Sequence, residues 1–264
     1  MALVLTVSRS WSRVGPVIRD RRSLLLLSLA AVLIGINWGV YIWAVNDGNV
    51  VEASLGYFIN PLVLVVIGVV FLGERLRTLQ WVAVGVATLA VVVLAVGLGR
   101  LPWIALALAF SFAGYGTIKK VVGADPMASL TVETAVASPF ALAWLVHLQQ
   151  TGALVLGHDT TRTSLLLMGT GVITAIPLLL FGAAANRVPL TMMGLLQYLT
   201  PIIQFAIGVV VLGETMPPAR WAGFVIVWAA LVVFSFDGLR QGGRNRTARR
   251  SASSDEASAV EAPI

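Results

Sequence analysis

Polar and apolar residues do not alternate along this chain. Apolar runs of about 20 residues recur instead, separated by short clusters of charge, Gly and Pro. Cut at those clusters, the runs cover Ser23 to Val45, Val50 to Leu72, Thr78 to Val96, Leu101 to Lys119, Pro126 to His147, Ser164 to Ala184, Pro189 to Leu212 and Pro218 to Phe236. Each is long enough to cross about 30 Å of hydrocarbon, straight or tilted. Only helices and closed barrels satisfy the backbone in lipid, and runs this apolar lack the alternation of a barrel strand. The pattern predicts an all-α polytopic membrane protein with about eight transmembrane helices. Its connections are tight: "LGERLR", "GADP" and "LGETMPP" carry the Gly and Pro that stop one helix and start the next.

Composition agrees, because 58% hydrophobic against 11% charged residues leaves too few charges to clothe a water-soluble surface. The apolar stub Met1 to Val7 is too short for a signal peptide, and no small-residue cleavage site follows it. With no cysteine, disulfides, thiolate metal sites and thiol nucleophiles are excluded. The net charge of +6 does not point to nucleic acid, since the basic residues sit in short loops and a terminal tail. With the N-terminus inside, the cytoplasm receives Arg9, Arg13, Arg19, Arg21, Arg22, Arg75, Arg77, Lys119, Lys120, Arg187 and the tail from Arg240 to Arg250. Only Arg100, Arg162 and Arg220 remain outside, so the expectation is N-in and C-in. Residues 239–264 are polar and Ser/Ala/Glu-rich, and read as a disordered cytoplasmic tail whose arginines lie on anionic lipid.

Two stretches are nearly the same: "IGVVFLGE" from Ile67 to Glu74 and "IGVVVLGE" from Ile207 to Glu214. An offset of 140 residues also superposes Ala44 on Ala184, Asn46 on Asn186, Leu55 on Leu195, Pro61 on Pro201 and Trp81 on Trp221. In all, 22 of the 80 positions from Arg21 to Arg100 are identical, which reads as a duplication. The offset spans five helices, an odd number, so each helix and its copy cross in opposite directions. Inverted five-helix repeats of this kind build many secondary transporters. Residues 101–238 hold a complete repeat. Residues 1–100 begin with the partner of its third helix, one and a half spans short of an expected ten-helix architecture, which predicts either a start codon upstream of Met1 or a truncated gene.

The run "NWGVYIWAVNDGNVVEASLGYFINPL" from Asn37 to Leu62, with "FLGERL", "LQWVAV", "LAFSFAGYG" at Leu108 to Gly116 and "LQYLTP" at Leu196 to Pro201, resembles the RarD group of EamA-type transporters. That group lies in the drug/metabolite transporter superfamily. The resemblance covers residues 1–238 and implies a ten-helix inner-membrane permease; it also gives Glu52 a role in the site.

Ionisable groups inside a bilayer are candidates for function. Glu133 lies eight residues past Asp125, about 12 Å deep at 1.5 Å per residue. It reads either as a proton- or cation-binding carboxylate or as a protonated glutamate bonded to Ser or Thr on a neighbouring helix. Glu52, close to the outer end of its helix, reads from position alone as solvated at the interface. Glu74 and Glu214 each follow a Gly at a helix end and precede the next helix, where a carboxylate accepts backbone N–H groups, so both read as structural caps. Pro61 and Pro201 fall mid-helix and free the carbonyls of Tyr57 and Gln197, as paired hinges or packed bends. Around them Asn37, Trp38, Trp43, Tyr57, Asn60, Gln197 and Tyr198 offer hydrogen bonds and aromatic surface for a small organic molecule. Trp43 and Trp103 also fit interfacial anchors.

No G-x-x-x-x-G-K-[ST], G-x-S-x-G or H-E-x-x-H is present, and the histidines number two, His147 and His158. The reading is a secondary permease, an exporter of a small organic metabolite or drug by alternating access, and not an enzyme. A non-transporting remnant or partner subunit is the alternative. Its partners are the lipid bilayer, the substrate, a coupling proton or cation and a second copy of the chain; no cofactor or metal is expected. Its place is the bacterial inner membrane.

Overall fold

The structure is a computed structural model that describes residues 6, 11–97, 101–200 and 203. The expected span Pro218 to Phe236, Pro201, Glu214 and the tail lie outside the described residues. Helix is the only regular structure among the described residues. After a 3-10 turn at Trp11–Arg13 come α1 (Val14–Arg19), α2 (Arg21–Asn46), α3 (Val50–Leu72), α4 (Thr78–Gly97), α5 (Trp103–Val122), α6 (Pro126–Gln150), α7 (Thr161–Ala185) and α8 (Leu190–Gln197). Of these, α2, α3, α5, α6 and α7 are long and apolar enough to cross a membrane. The short helix α1 was not expected. Val14 and Val17 pack it against Leu24, Leu27, Ala128 and Val132 of α2 and α6, and Arg13 pairs with Asp125 at 2.9 Å.

Helix ends fall where turn chemistry puts them. Asp20 caps α2 by accepting from the N–H groups of Arg22 and Ser23, and the Ser23 hydroxyl and N–H hold its carboxyl below the usual carboxylate range. Asp125 caps α6 with Pro126 as its first residue, and Thr160 caps α7. Gly73 and Gly123 close α3 and α5 at φ 66° and 61°, the left-handed conformation that favours glycine.

One compact unit joins the described residues up to Glu74 with Leu101–Gln197; α4 belongs to a second. In the first unit α3 packs between α5 and α8, and α2 lies on α5 and α6. Exposed Leu165, Leu166, Met168, Val172, Ile173, Ile176 and Leu180 turn an apolar side of α7 outward, which hydrocarbon tolerates and water would not. Small residues bring the buried backbones together, as lipid-embedded helices need. A Cβ on Gly194 would stand 2.7 Å from the Pro61 carbonyl oxygen, and one on Gly56 would stand 3.0 Å from Leu108 Cβ. Helices α3 and α8 are partners under the 140-residue offset, and they run antiparallel. Glu74 meets Leu190, Gly68 meets Thr191, Leu64 meets Gly194 and Asn60 meets Gln197.

Gly194→Ala is therefore expected to lower thermal stability, by about 1–3 kcal/mol of overpacking against Pro61. Gly169, with nothing within 4 Å of its built Cβ, is the control. Gly169→Ala should leave the melting temperature unchanged or raise it, since helical Ala is favoured over Gly by about 1 kcal/mol. Melting curves of the two variants in detergent check the contrast.

Candidate functional site

The "GADP" turn between α5 and α6 is a hairpin, and hairpin geometry pairs residues equidistant from its centre. Counting outward from Ala124, Lys119 falls opposite Ser129 and Tyr115 opposite Glu133. Each helix also carries its two residues four apart, on one face. The structure closes all four groups into one cluster. Lys119 Nζ donates to Glu133 Oε1 at 2.5 Å and to the Ser129 hydroxyl. Ser129 Oγ donates to Glu133 Oε1 at 3.0 Å, and Tyr115 OH donates to Glu133 Oε2 at 3.2 Å. Lys119 is 4% and Glu133 3% exposed, so neither charge has water to fall back on.

Aromatic rings close the cluster over. Tyr115 stacks on Phe181 of α7 with centroids 5.8 Å apart, and Phe112 meets the edge of Phe181 at 5.2 Å. The Lys119 ammonium lies 5.4 Å from the Tyr115 ring centroid. Gly182 of α7 leaves room for the lysine stem, its built Cβ standing 3.5 Å from Lys119 Cε. Removing one member of a buried pair like this costs about 3–5 kcal/mol, because the other charge stays behind uncompensated. Glu133 is thus neither an isolated acid nor one bonded to a neighbouring helix's Ser or Thr: the serine is on its own helix, and its partner across the hairpin is a lysine. Lys119 was expected at the cytoplasmic face and is instead turned inward, in the last turn of α5, where a cation also suits the helix dipole. Its mirror-image spacing about the turn was the available signal, and the count of basic residues by loop hid it.

Two other glutamates close helix ends. Glu52, read from its position as solvated and from the resemblance as a site residue, is 2% exposed, and its Oε1 accepts from the Ile104 N–H at the start of α5. Glu74 does cap a helix, but not the one that follows it. Its Oε1 and Oε2 accept from the N–H groups of Leu190 and Thr191, at 2.7 and 2.8 Å, at the start of α8. Gly73 turns the chain back, and Gly68 leaves space, since a Cβ there would meet Glu74 Oε2 and Thr191 Cγ2 at 2.8 Å. The sequence of Gly68, Gly73 and Glu74 is one device that ties α3 to its repeat partner. At the head of α4 it is Gln80 that serves, its Oε1 accepting from the Arg77 N–H.

The polar and aromatic candidates divide. Asn60 Nδ2 donates to Gln197 Oε1, while Asn60 Oδ1 and Gln197 Nε2, both buried, have no partner among the described residues. Such atoms cost about 1–3 kcal/mol each. Tyr57, one turn before Asn60 on the same face, meets Tyr41 of α2 edge-on at 5.9 Å. Asn37 is occupied elsewhere, its Nδ2 donating to the Leu108 carbonyl and the Ser111 hydroxyl on α5. Trp38 is 42% exposed and stands apart. Trp43 and Trp103 lie against each other at 5.5 Å. Pro61 is buried inside an unbroken α3, whereas α8 ends at Gln197 and Tyr198, buried, sits in a turn.

Long apolar helices folded around buried charged and polar groups are the construction of a multi-pass membrane transporter, and comparison with known proteins supports that class. Residues 1–96 and 101–236 match the EamA-like transporter family, and the chain belongs to it as a RarD-type member. It is 52% identical to Protein RarD of Streptomyces exfoliatus over 98% of this chain and 80% of that protein. It is 44% identical to the uncharacterized transporter YojE of Bacillus subtilis, over 89% of this chain and 80% of that one. With Protein RarD of Salmonella typhi the identity is 41%, over 90% and 81%.

Glu74→Gln should lower stability by about 0.5–2 kcal/mol, because an amide keeps a single acceptor oxygen for two N–H groups and loses the charge that favours the helix start. Gly68→Ala should act in the same direction by displacing the carboxylate. Unfolding curves of the two single variants and the double variant check this: the double should fall well short of the sum, since both substitutions break one contact.

Proposed function

We propose that this protein is a secondary transporter of the bacterial inner membrane, N-terminus and C-terminus inside, that exports a small organic molecule by alternating access and couples it to protons through Glu133. The observation that supports this reading is the buried Lys119 and Glu133 pair, closed at 2.5 Å between α5 and α6. A proton arriving on Glu133 removes the negative charge. Lys119 is then a lone cation in a low-dielectric interior, and the contact between α5 and α6 weakens. The contact closes only between an ammonium and a carboxylate, so the packing of α5 on α6 and the charge on the pair are linked. A link between conformation and charge is what coupling to a gradient requires. The inverted repeat supplies the second state, because its halves can exchange conformations about a site near the midplane. The surplus of Lys and Arg on one side supports the orientation.

Metabolite comparison of cells with and without the gene identifies a cargo for the test. Proteoliposomes holding the wild-type chain should show counterflow of that cargo and accumulate it when a pH gradient is imposed. Glu133→Gln should abolish the accumulation, and the Lys119→Met/Glu133→Gln double variant should restore the melting temperature without restoring accumulation. Accumulation unchanged in Glu133→Gln removes that residue from the mechanism, and no counterflow by the wild type favours a non-transporting partner subunit.

A further inference from the structure

The transport reading leaves open what kind of molecule is carried, and the Asn60 and Gln197 pair narrows it. Two carboxamides that share one hydrogen bond use one donor and one acceptor between them. The atoms left without a partner are one acceptor, Asn60 Oδ1, and one donor, Gln197 Nε2. Turning both amides over exchanges the roles and leaves the same remainder, so the conclusion does not depend on how either amide is oriented. Asn60 is 94% buried by its 6% exposure, yet half of its hydrogen-bonding group goes unused among the described residues. Native interiors rarely leave such groups without a purpose.

The position is as telling as the chemistry. Asn60 precedes Pro61, and Gln197 is the last residue of α8, so both amides stand where α8 ends against the middle of α3, its repeat-related partner. On the face of α3 that carries Asn60, Tyr57 and its edge-on partner Tyr41 add aromatic surface one turn away. Resting on the transport reading, we propose that this pair is a recognition point for the substrate, and that the substrate is a neutral molecule whose ring or apolar body carries an amide-type edge, with an N–H beside a C=O. The C=O accepts from Gln197 Nε2 and the N–H donates to Asn60 Oδ1. A carboxylate brings only acceptors and leaves Asn60 Oδ1 facing a like dipole; an ammonium brings only donors and does the same to Gln197 Nε2.

The test is equilibrium binding, which separates this proposal from the transport reading because it needs no flux. Benzamide, benzoate, benzylamine and toluene present one ring with four different edges. Ligand-observed NMR on the full chain in nanodiscs at neutral pH should show benzamide bound at least tenfold more tightly than the other three. The Asn60→Leu/Gln197→Leu double variant replaces both partners by apolar groups of similar size, keeps its melting temperature, and should lose the preference while retaining whatever weak toluene binding exists. Gly169→Ala should keep it. Equal binding of all four probes, no binding of any, or a preference that survives in the double variant overturns the proposal. Loss of counterflow by the wild type would instead strike at the transport reading.

Discussion

A buried N–H needs an acceptor, and the places where this chain meets that need are its helix starts. The first N–H groups of a helix have no partner within it, and at Ile104, Leu190 and Thr191 the packing of neighbouring helices shuts water out. Glu52, in the first turn of α3, meets the start of α5, and Glu74, just past the end of α3, meets the start of α8, a helix far away in the chain. Three helices are thereby held by carboxylates whose negative charge also suits the positive end of a helix dipole. Much of the first unit follows from that arrangement. With its two ends tied to different neighbours, α3 becomes the strut between α5 and α8, and the glycines at 56, 68 and 194 let the backbones come close enough for the ties to reach.

Helices α3 and α8, aligned by the 140-residue offset, pack against each other antiparallel, yet the two aligned stretches do not carry the same chemistry. Where α3 has Glu52, the aligned residue of α8 is Met192; Tyr57 aligns with Gln197 and Asn60 with Thr200. What the copies share is the frame: Leu55 and Leu195, Pro61 and Pro201, and the Gly and Glu of the repeated motif. The polar residues have diverged while the packing residues have not, since packing tolerates a change of polar side chain more readily than a change of backbone spacing.

The closed pair of Lys119 and Glu133 belongs to a different layer of the design. It sits near a hairpin end rather than at the contact of α3 with α8, covered by the rings of Tyr115, Phe112 and Phe181 from α5 and α7. Ions in such surroundings are stable together and costly apart. The hairpin therefore carries a buried ion pair with hydrogen bonds from Ser129 and Tyr115, whereas the contact of α3 with α8 carries close packing and neutral hydrogen bonding.

By itself the sequence determined the elements, because their causes are local. Some 20 apolar residues have to span the bilayer, Asp and Thr cap the helices that start behind them, and Gly73 and Gly123 stop helices by adopting a backbone few other residues accept. The membrane class and the positions of α2 to α7 were legible for that reason. Which polar groups meet was not, because a partner is chosen by distance in space. Glu52 was read as solvated and is buried; Glu74 caps a helix 116 positions away rather than its successor; Glu133 has a lysine that loop counting had assigned to the surface. Only the tertiary structure decided these pairings, and the reason is that a carboxylate enclosed between helices takes whatever donor their packing brings within about 3 Å.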